Sequence, residues 1–286
     1  MSITLGTNIL SLKAISGLKK TENEMSSVYE RLSSGMRINS AGDDDAGLNL
    51  AEQLKNQARV LAVGIRNAND GLSYSAVADA ALSQSSQLLM RMAELANQSS
   101  NSIYTTTQRS ALSSEFIALG SEIERIAQTS TFNGMGTISS SSNLTIQVGF
   151  DGNPSARITL SSALGTLAAL GLANGLSSAL TFSINATTSD LAVTASRLAI
   201  TAVNAALDSI TVQRGIIGAN ASRLQFAVGY LAVARDNYVA ANAAIRDSDV
   251  ATDVAQMLRL QILSQAQTAV AAQANQQPSL ILRMLG

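Results

Sequence analysis

The chain has 286 residues, with 19 Lys plus Arg against 20 Asp plus Glu and a net charge of −1. A balance of this kind offers no basic footprint for nucleic acid, and the charged fraction of 14% is little more than half the roughly 25% of an ordinary soluble domain. With no His and no Cys, the chain lacks imidazole bases, thiol nucleophiles, disulfides and the usual transition-metal ligands, so most catalytic and cofactor chemistry is excluded and none is expected.

At the N-terminal end, Leu5, Ile9, Leu12, Ile15 and Leu18 recur every three or four residues and continue to Met25, Tyr29 and Leu32, which predicts an amphipathic helix. The opening MSITLGTNILSLKAISGLKK lacks the basic start, apolar block and cleavage site of a secretory signal, so an exported chain is expected to use another route. No run of about 18 apolar residues occurs, and no membrane insertion is expected.

From Leu54 the apolar residues step by four and three through Ala58, Leu61, Ile65, Ala68 and Leu72, then return at Leu82, Leu89, Met92 and Ala96. This predicts a helix over 44–98, with an irregularity allowed near Gly71, and at 1.5 Å per residue a rod roughly 80 Å long. A second amphipathic helix is carried by Leu112, Phe116, Leu119, Ile123 and Ile126, and it stops near Thr129 to Gly134, where β-branched residues and Gly break the period.

Residues 132–189 carry two charges, Asp151 and Arg157, and hold seven of the nineteen glycines. Leu144, Ile146, Val148 and Phe150 alternate, a turn of sequence DGNP follows at Asp151 to Pro154, and Ala156, Ile158 and Leu160 alternate again. That is the signature of one β-hairpin, and the rest of the segment reads as loops with short strands.

The longest seam runs through Leu191, Ala195, Leu198, Ala202, Ala205, Val212, Ile216, Ala219, Phe226, Tyr230, Val233, Ala240 and Ala244, interrupted only by Ser209, Arg223 and Asn237. Three such rods cannot bury their seams alone and are expected to pack on one another. The expected core is Leu54, Leu61, Ile65, Leu72, Leu112, Phe116, Leu119, Ile123, Leu198, Val212, Ile216, Phe226 and Val233. At the C-terminal end Val250, Val254, Leu258, Ile262, Ala266 and Val270 recur every four residues. The two terminal helices therefore need a partner surface, and each other and neighbouring copies are the expected ones. The fold class is mainly α: a long antiparallel coiled-coil-like helical bundle with paired terminal helices and one small β-hairpin region.

The segment RLSSGMRINSAGDDDAG, Arg31 to Gly47, closely resembles the N-terminal signature of bacterial flagellins. IRNANDGLSYSAVADAAL (Ile65 to Leu82) and TSTFNG look like the next family landmarks, and IRDSDVATDVAQMLRLQIL (Ile245 to Leu263) with QTAVAAQANQQP (Gln267 to Pro278) is similar to the C-terminal signature. The resemblance spans residues 1–134 and about 190–286. It implies a self-assembling structural subunit of the flagellar filament, a secreted, extracellular helical homopolymer used for motility. In that picture residues 1–43 with 246–286 form a terminal-helix coiled coil, the inner shell. Residues 44–131 with 190–245 form a helical rod domain, and 132–189 add a β-hairpin and loops to that rod without a separate outer domain. Leu5, Ile9, Leu12, Ile15, Leu18, Val250, Val254, Leu258, Ile262, Ala266 and Val270 would form the inner assembly interface. An export chaperone, a cap and hook-associated proteins are implied as further partners, with unfolded passage through a type III export channel. A hook-filament junction protein is the near alternative. An enzyme carried on the scaffold would need a metal-binding motif that a chain without His does not have, and a lipid-surface protein would need more flanking Lys and Arg than Lys13, Lys19 and Lys20.

Asp43, Asp44 and Asp45, like Asp247, Asp249 and Asp253, precede amphipathic runs, where acidic residues cap helix N-termini rather than bind cations. Gly64, Gly71, Gly215 and Gly218 sit inside helical patterns, for close helix approach or as tolerated irregularities. Sequons begin at Asn97, Asn143, Asn185 and Asn220, as chance allows in so polar a chain. Some flagellins are recognised by a Toll-like receptor through a patch whose matching positions here are Arg91, Leu95 and Glu115. Ala93 and Leu119 depart from that pattern, which counts against recognition.

Overall fold

The computed structural model describes residues 8–174 and 179–285, with side chains through residue 276. Among these the protein is mainly α. Helix α1 spans Ile9–Ser34, α2 Asp45–Ser99, α3 Thr106–Thr129, α4 Ser189–Arg246 and α5 Val250–Leu285. Between α3 and α4 lie β1 (Thr131–Phe132), β2 (Met135–Gly136), β3 (Leu144–Gln147) and β4 (Arg157–Leu160). The chain forms two compact units, Met1–Ala58 with Asp236–Gly286, here the terminal unit, and Arg59–Arg235, the central unit.

In the terminal unit α1 and α5 pack antiparallel. Asn8 Nδ2 donates to the Ala274 carbonyl at 2.8 Å near one end, and Arg31 Nε donates to Asp253 at 3.1 Å near the other. The residues withdrawn from solvent keep a three-four spacing on both helices: Ser11, Ala14, Leu18, Thr21, Met25, Val28 and Leu32 on α1, and Asp253, Met257, Leu260, Ser264, Gln267, Ala271 and Ala274 on α5. Such spacing makes a coiled-coil seam, and this one mixes buried apolar residues, Val28 and Leu260 among them, with the buried polar Ser11, Thr21 and Asp253. Gly35 ends α1 in the left-handed conformation that lacks a Cβ penalty, its φ being 68°, and its N–H donates to the Arg31 carbonyl at 2.8 Å. The following turn is tied to the end of α4: Arg37 N donates to Arg246 O at 2.6 Å, and Ser248 N to Gly35 O at 3.0 Å.

The central unit holds a conventional core. Leu82, Leu89, Met92, Leu95 and Ala96 of α2 meet Phe116, Ile123 and Ala127 of α3 and Ala199, Val203, Ala206 and Ile210 of α4, all buried. Helix α3 begins with a capping box in which Thr105 and Gln108 satisfy each other's backbone N–H groups. The hairpin pairs β3 with β4 in the register Leu144↔Leu160, Ile146↔Ile158. Alternation is lost after Val148 because the turn begins there, so Phe150 is exposed.

Two expectations change. First, the segment around the hairpin supplies part of the core: Ile138, Leu167, Leu172 and Ile184 are fully buried, although they show no period. Second, α4 buries a different stripe. Ala192, Ser196, Ala199, Val203, Ala206, Ile210, Ile217, Asn220, Leu224 and Leu231 are inside, whereas Leu198, Val212, Ile216, Phe226 and Val233, expected in the core, are exposed. The buried stripe lies one residue further along. Its first half is rich in small side chains, Ala192, Ser196, Ala199 and Ala206, and its second half carries Ile210, Ile217, Leu224 and Leu231.

Of the other expected core residues, Leu61, Phe116 and Ile123 are buried, and Leu54, Ile65, Leu72, Leu112 and Leu119 are half-buried. Helix α2 runs unbroken through Gly64 and Gly71. A Cβ on Gly64 would collide with the Val148 carbonyl, and one on Gly71 would lie 3.1 Å from Leu224 and 3.2 Å from Ile146. These two glycines therefore admit close neighbours. Gly215 and Gly218 meet nothing within 4 Å, so no contact within the chain requires them.

Candidate assembly surfaces

Helices α1 and α5 bury polar residues beside apolar ones in their seam and leave a row of large apolar side chains outside. Ser11, Thr21 and Asp253 lie inside the pair, while Ile9, Leu10, Leu12 and Ile15 on α1 and Val250, Leu258, Ile262 and Val270 on α5 stand at half exposure or more, Ile262 at 68%. Val254 is 36% exposed and Ala266 is exposed, whereas Leu18 turns partly into the seam. Leu5 lies outside the described residues. Hydrogen bonds join the two helices: Ser11 Oγ donates to Asn275 Oδ1 at 2.7 Å, and at the exposed margin Gln261 Nε2 donates to the Tyr29 hydroxyl at 3.1 Å, while Gln267 Oε1 is buried without a partner among the described residues. Pairing α1 with α5 therefore leaves a row of apolar side chains, Ile9, Leu12, Ile15, Leu258, Ile262 and Val270, in water, where full burial of each would contribute about 1.5–3 kcal/mol.

The acidic clusters hold chain turns. Among the described residues no group of three or more acidic side chains could hold a metal ion. Backbone N–H groups of Ser40 and Asn39 donate to Asp43 and hold its carboxyl below the ordinary value. Asp44 accepts from Gly47 N at 2.9 Å in the first turn of α2. Asp249 is lowered by the Thr252 hydroxyl and the N–H groups of Thr252 and Ala251, as an N-cap of α5 should be. Asp253, lowered first by the Ser248 hydroxyl and then by Arg31, is 6% exposed and clamps the start of α5 to α1. Arg246 lowers Glu52 in the same unit.

On the central unit the outward stripe of α4 forms a second apolar face, with Phe226 78% and Tyr230 74% exposed. Of the residues matching the receptor patch, Arg91 and Glu115 are exposed and paired at 2.8 Å, with Glu94 also bonded to Arg91; these carboxylates push the Arg91 pKa up. Leu95 is buried in the core, which corrects its placement on a displayed patch. Asn220, a sequon residue, is buried on α4. The sequence reading missed Arg109, which is 1% exposed and donates to the carbonyls of Ser189 and Asn101 at 2.9 Å each. Its spacing to Ser113, Phe116, Gly120, Ile123 and Ala127 places it on the buried stripe of α3, and that register was the available signal.

A helical chain that, besides a buried core, shows rows of large apolar side chains on two faces has the surfaces of a structural subunit that packs against other molecules. The family description "Bacterial flagellin N-terminal helical region" matches residues 5–143, and "Bacterial flagellin C-terminal helical region" matches residues 200–285. A flagellin of Halalkalibacterium halodurans is 35% identical over 97% of this chain and 98% of its own, and a flagellin of Bacillus subtilis is 32% identical with the same coverage. A crystal structure of Bacillus cereus flagellin covers 58% of this chain and 88% of its own at 25% identity, with a TM-score of 0.48. The chain belongs to the bacterial flagellin family: it is a structural subunit that polymerises with itself into the flagellar filament, and not an enzyme. No helix among the described residues is long and apolar enough to cross a membrane.

Proposed function

We propose that the outward faces of α1 and α5 are the inner assembly interface of the filament, and that they complete their folding only between neighbouring copies. The observation that carries this reading is the apolar row that the terminal pair leaves outside: Ile9, Leu12, Ile15, Leu258, Ile262 and Val270 are exposed, although Val28, Leu260, Ser11, Thr21 and Asp253 are inside. A surface of this composition repeated along a screw axis makes a heterologous contact that does not close, and hence an open filament. Residues 1–43 with 246–286 then serve as the inner shell, and 44–131 with 190–245, together with the hairpin segment 132–189, as the shell around it. Coupling of folding to assembly suits a chain secreted in an unfolded state, with an export chaperone, a cap and hook-associated proteins as its further partners.

The test is seeded polymerisation of the full chain carrying Leu258→Asp or Ile262→Asp, followed by light scattering and negative-stain microscopy. Loss of filament growth with an unchanged monomer melting temperature is expected, because both side chains already face solvent in the single molecule. Filaments of normal yield from either variant would refute the interface.

A further inference from the structure

The central unit carries a groove and a knob on opposite sides of one layer. The groove, about 390 Å³, is lined by Asp70 and Tyr74 of α2, Phe132 and Met135 of the β1–β2 turn, and Leu144 and Ile146 of β3. Its floor is apolar, and the Tyr74 and Phe132 rings stand edge to face at 6.1 Å. Asp70 is exposed at the rim and has no ion pair among the described residues. Beneath the groove, Leu224 of α4 and Ile146 of β3 both approach Gly71 of α2. Phe226 follows Leu224 by two residues, about 160° around the helix, and so leaves α4 on the far side from the groove.

There Phe226 and Tyr230 are the most exposed large side chains of α4, and Arg223 is an exposed cation with no ion pair among the described residues. Arg223 and Phe226 are one helical turn apart and project side by side. Asp70 and Tyr74 stand in the same way at the groove.

We infer that Phe226 and Arg223 of one copy dock into the groove of a second copy, the ring on the Tyr74, Met135 and Ile146 floor and the guanidinium on Asp70. This inference rests on the self-assembly reading and adds to it a lateral contact that the terminal helices do not make. Three observations favour another copy as the occupant. The chain polymerises with itself, the knob and groove carry opposite unpaired charges, and both lie at the level of Leu224, so a front-to-back contact repeats without closing. Gly218 and Gly229, whose Cβ positions meet nothing within the chain, border the knob and leave room for the neighbour's backbone.

The test uses the natural absence of Cys in the chain. Full chains bearing Phe226→Cys are mixed with full chains bearing Met135→Cys, grown from wild-type seeds and treated with a short bismaleimide; both sites are exposed, so neither substitution disturbs the core. Covalent dimers in the polymer and none in the dilute mixture are expected. In parallel, Arg223→Asp should raise the concentration needed for growth roughly tenfold, as a like-charge contact replaces an ion pair, and Arg223→Asp with Asp70→Arg should restore it. Polymer without covalent dimers would overturn this contact and leave self-assembly standing. Wild-type chains that fail to extend seeds would instead refute the assembly reading, and this contact with it.

Discussion

The two units spend their apolar residues in opposite ways. The central unit turns Leu82, Leu89, Met92, Phe116 and Ile123 inward and hides them completely. The terminal unit mixes Ser11, Thr21, Asp253 and Gln267 with Val28 and Leu260 between its helices and leaves Ile9, Leu12, Leu258 and Ile262 in solvent. A unit of the first kind carries its own stability. A unit of the second kind is marginal alone and gains its missing burial from neighbours, which gives a polymer whose subunits lock only when seated.

The contrast can be broken most forcefully from the central side. Phe116→Ala should destabilise the monomer by about 3–5 kcal/mol, the usual cost of emptying an aromatic core position, and thermal unfolding of the monomer would show it. A change under 1 kcal/mol would mean that this core is not what holds the monomer. Arg109→Ala should cost about 2–3 kcal/mol by the same assay, because the carbonyls of Ser189 and Asn101 lose charged donors in a buried place.

A smaller and opposite effect is expected at Gly215. A methyl group there meets nothing within the chain, so Gly215→Ala should raise monomer stability by about 0.5–1 kcal/mol through helix propensity. The terminal side responds to acid. The depressed Asp253 carboxyl contributes stability above its ordinary value of 3.8, and that contribution fades as the pH falls below this value toward the depressed one. Circular dichroism of the monomer should therefore show helix lost from the terminal pair in that acid range, and Asp253→Asn should flatten the pH dependence while lowering helicity at neutral pH. An unchanged acid transition in the variant would show that the Arg31–Asp253–Ser248 clamp does not hold α5 to α1.

The long helices and the hairpin were legible because each writes its period directly into the sequence, as Leu54 to Leu72 and Leu144 to Leu160 do. The register of α4 was not. That helix is apolar around most of its circumference, and two neighbouring stripes both step by four and three. The unbroken spacing pointed to Leu198, Val212 and Phe226, but the buried stripe is the neighbouring one, from Ala192, Ala199, Val203 and Ala206 to Ile210, Ile217, Leu224 and Leu231. Ile138, Leu167, Leu172 and Ile184 escaped notice for another reason: they enter the core from irregular backbone, where no spacing announces burial. The apolar rows at the two ends of the chain were plain in the sequence. That they face away from each other was not, because the seam between α1 and α5 interleaves Val28 and Leu260 with Ser11, Thr21 and Asp253, and a stripe interrupted by polar residues does not stand out by apolar spacing.

Hydrogen exchange of monomer and polymer, compared segment by segment, tests the central claim most directly. Amides of residues 9–34 and 250–276 should exchange fast in the monomer and become protected in the polymer, while those of residues 78–127 stay protected in both. Equal protection of the terminal segments in the two states would contradict the account.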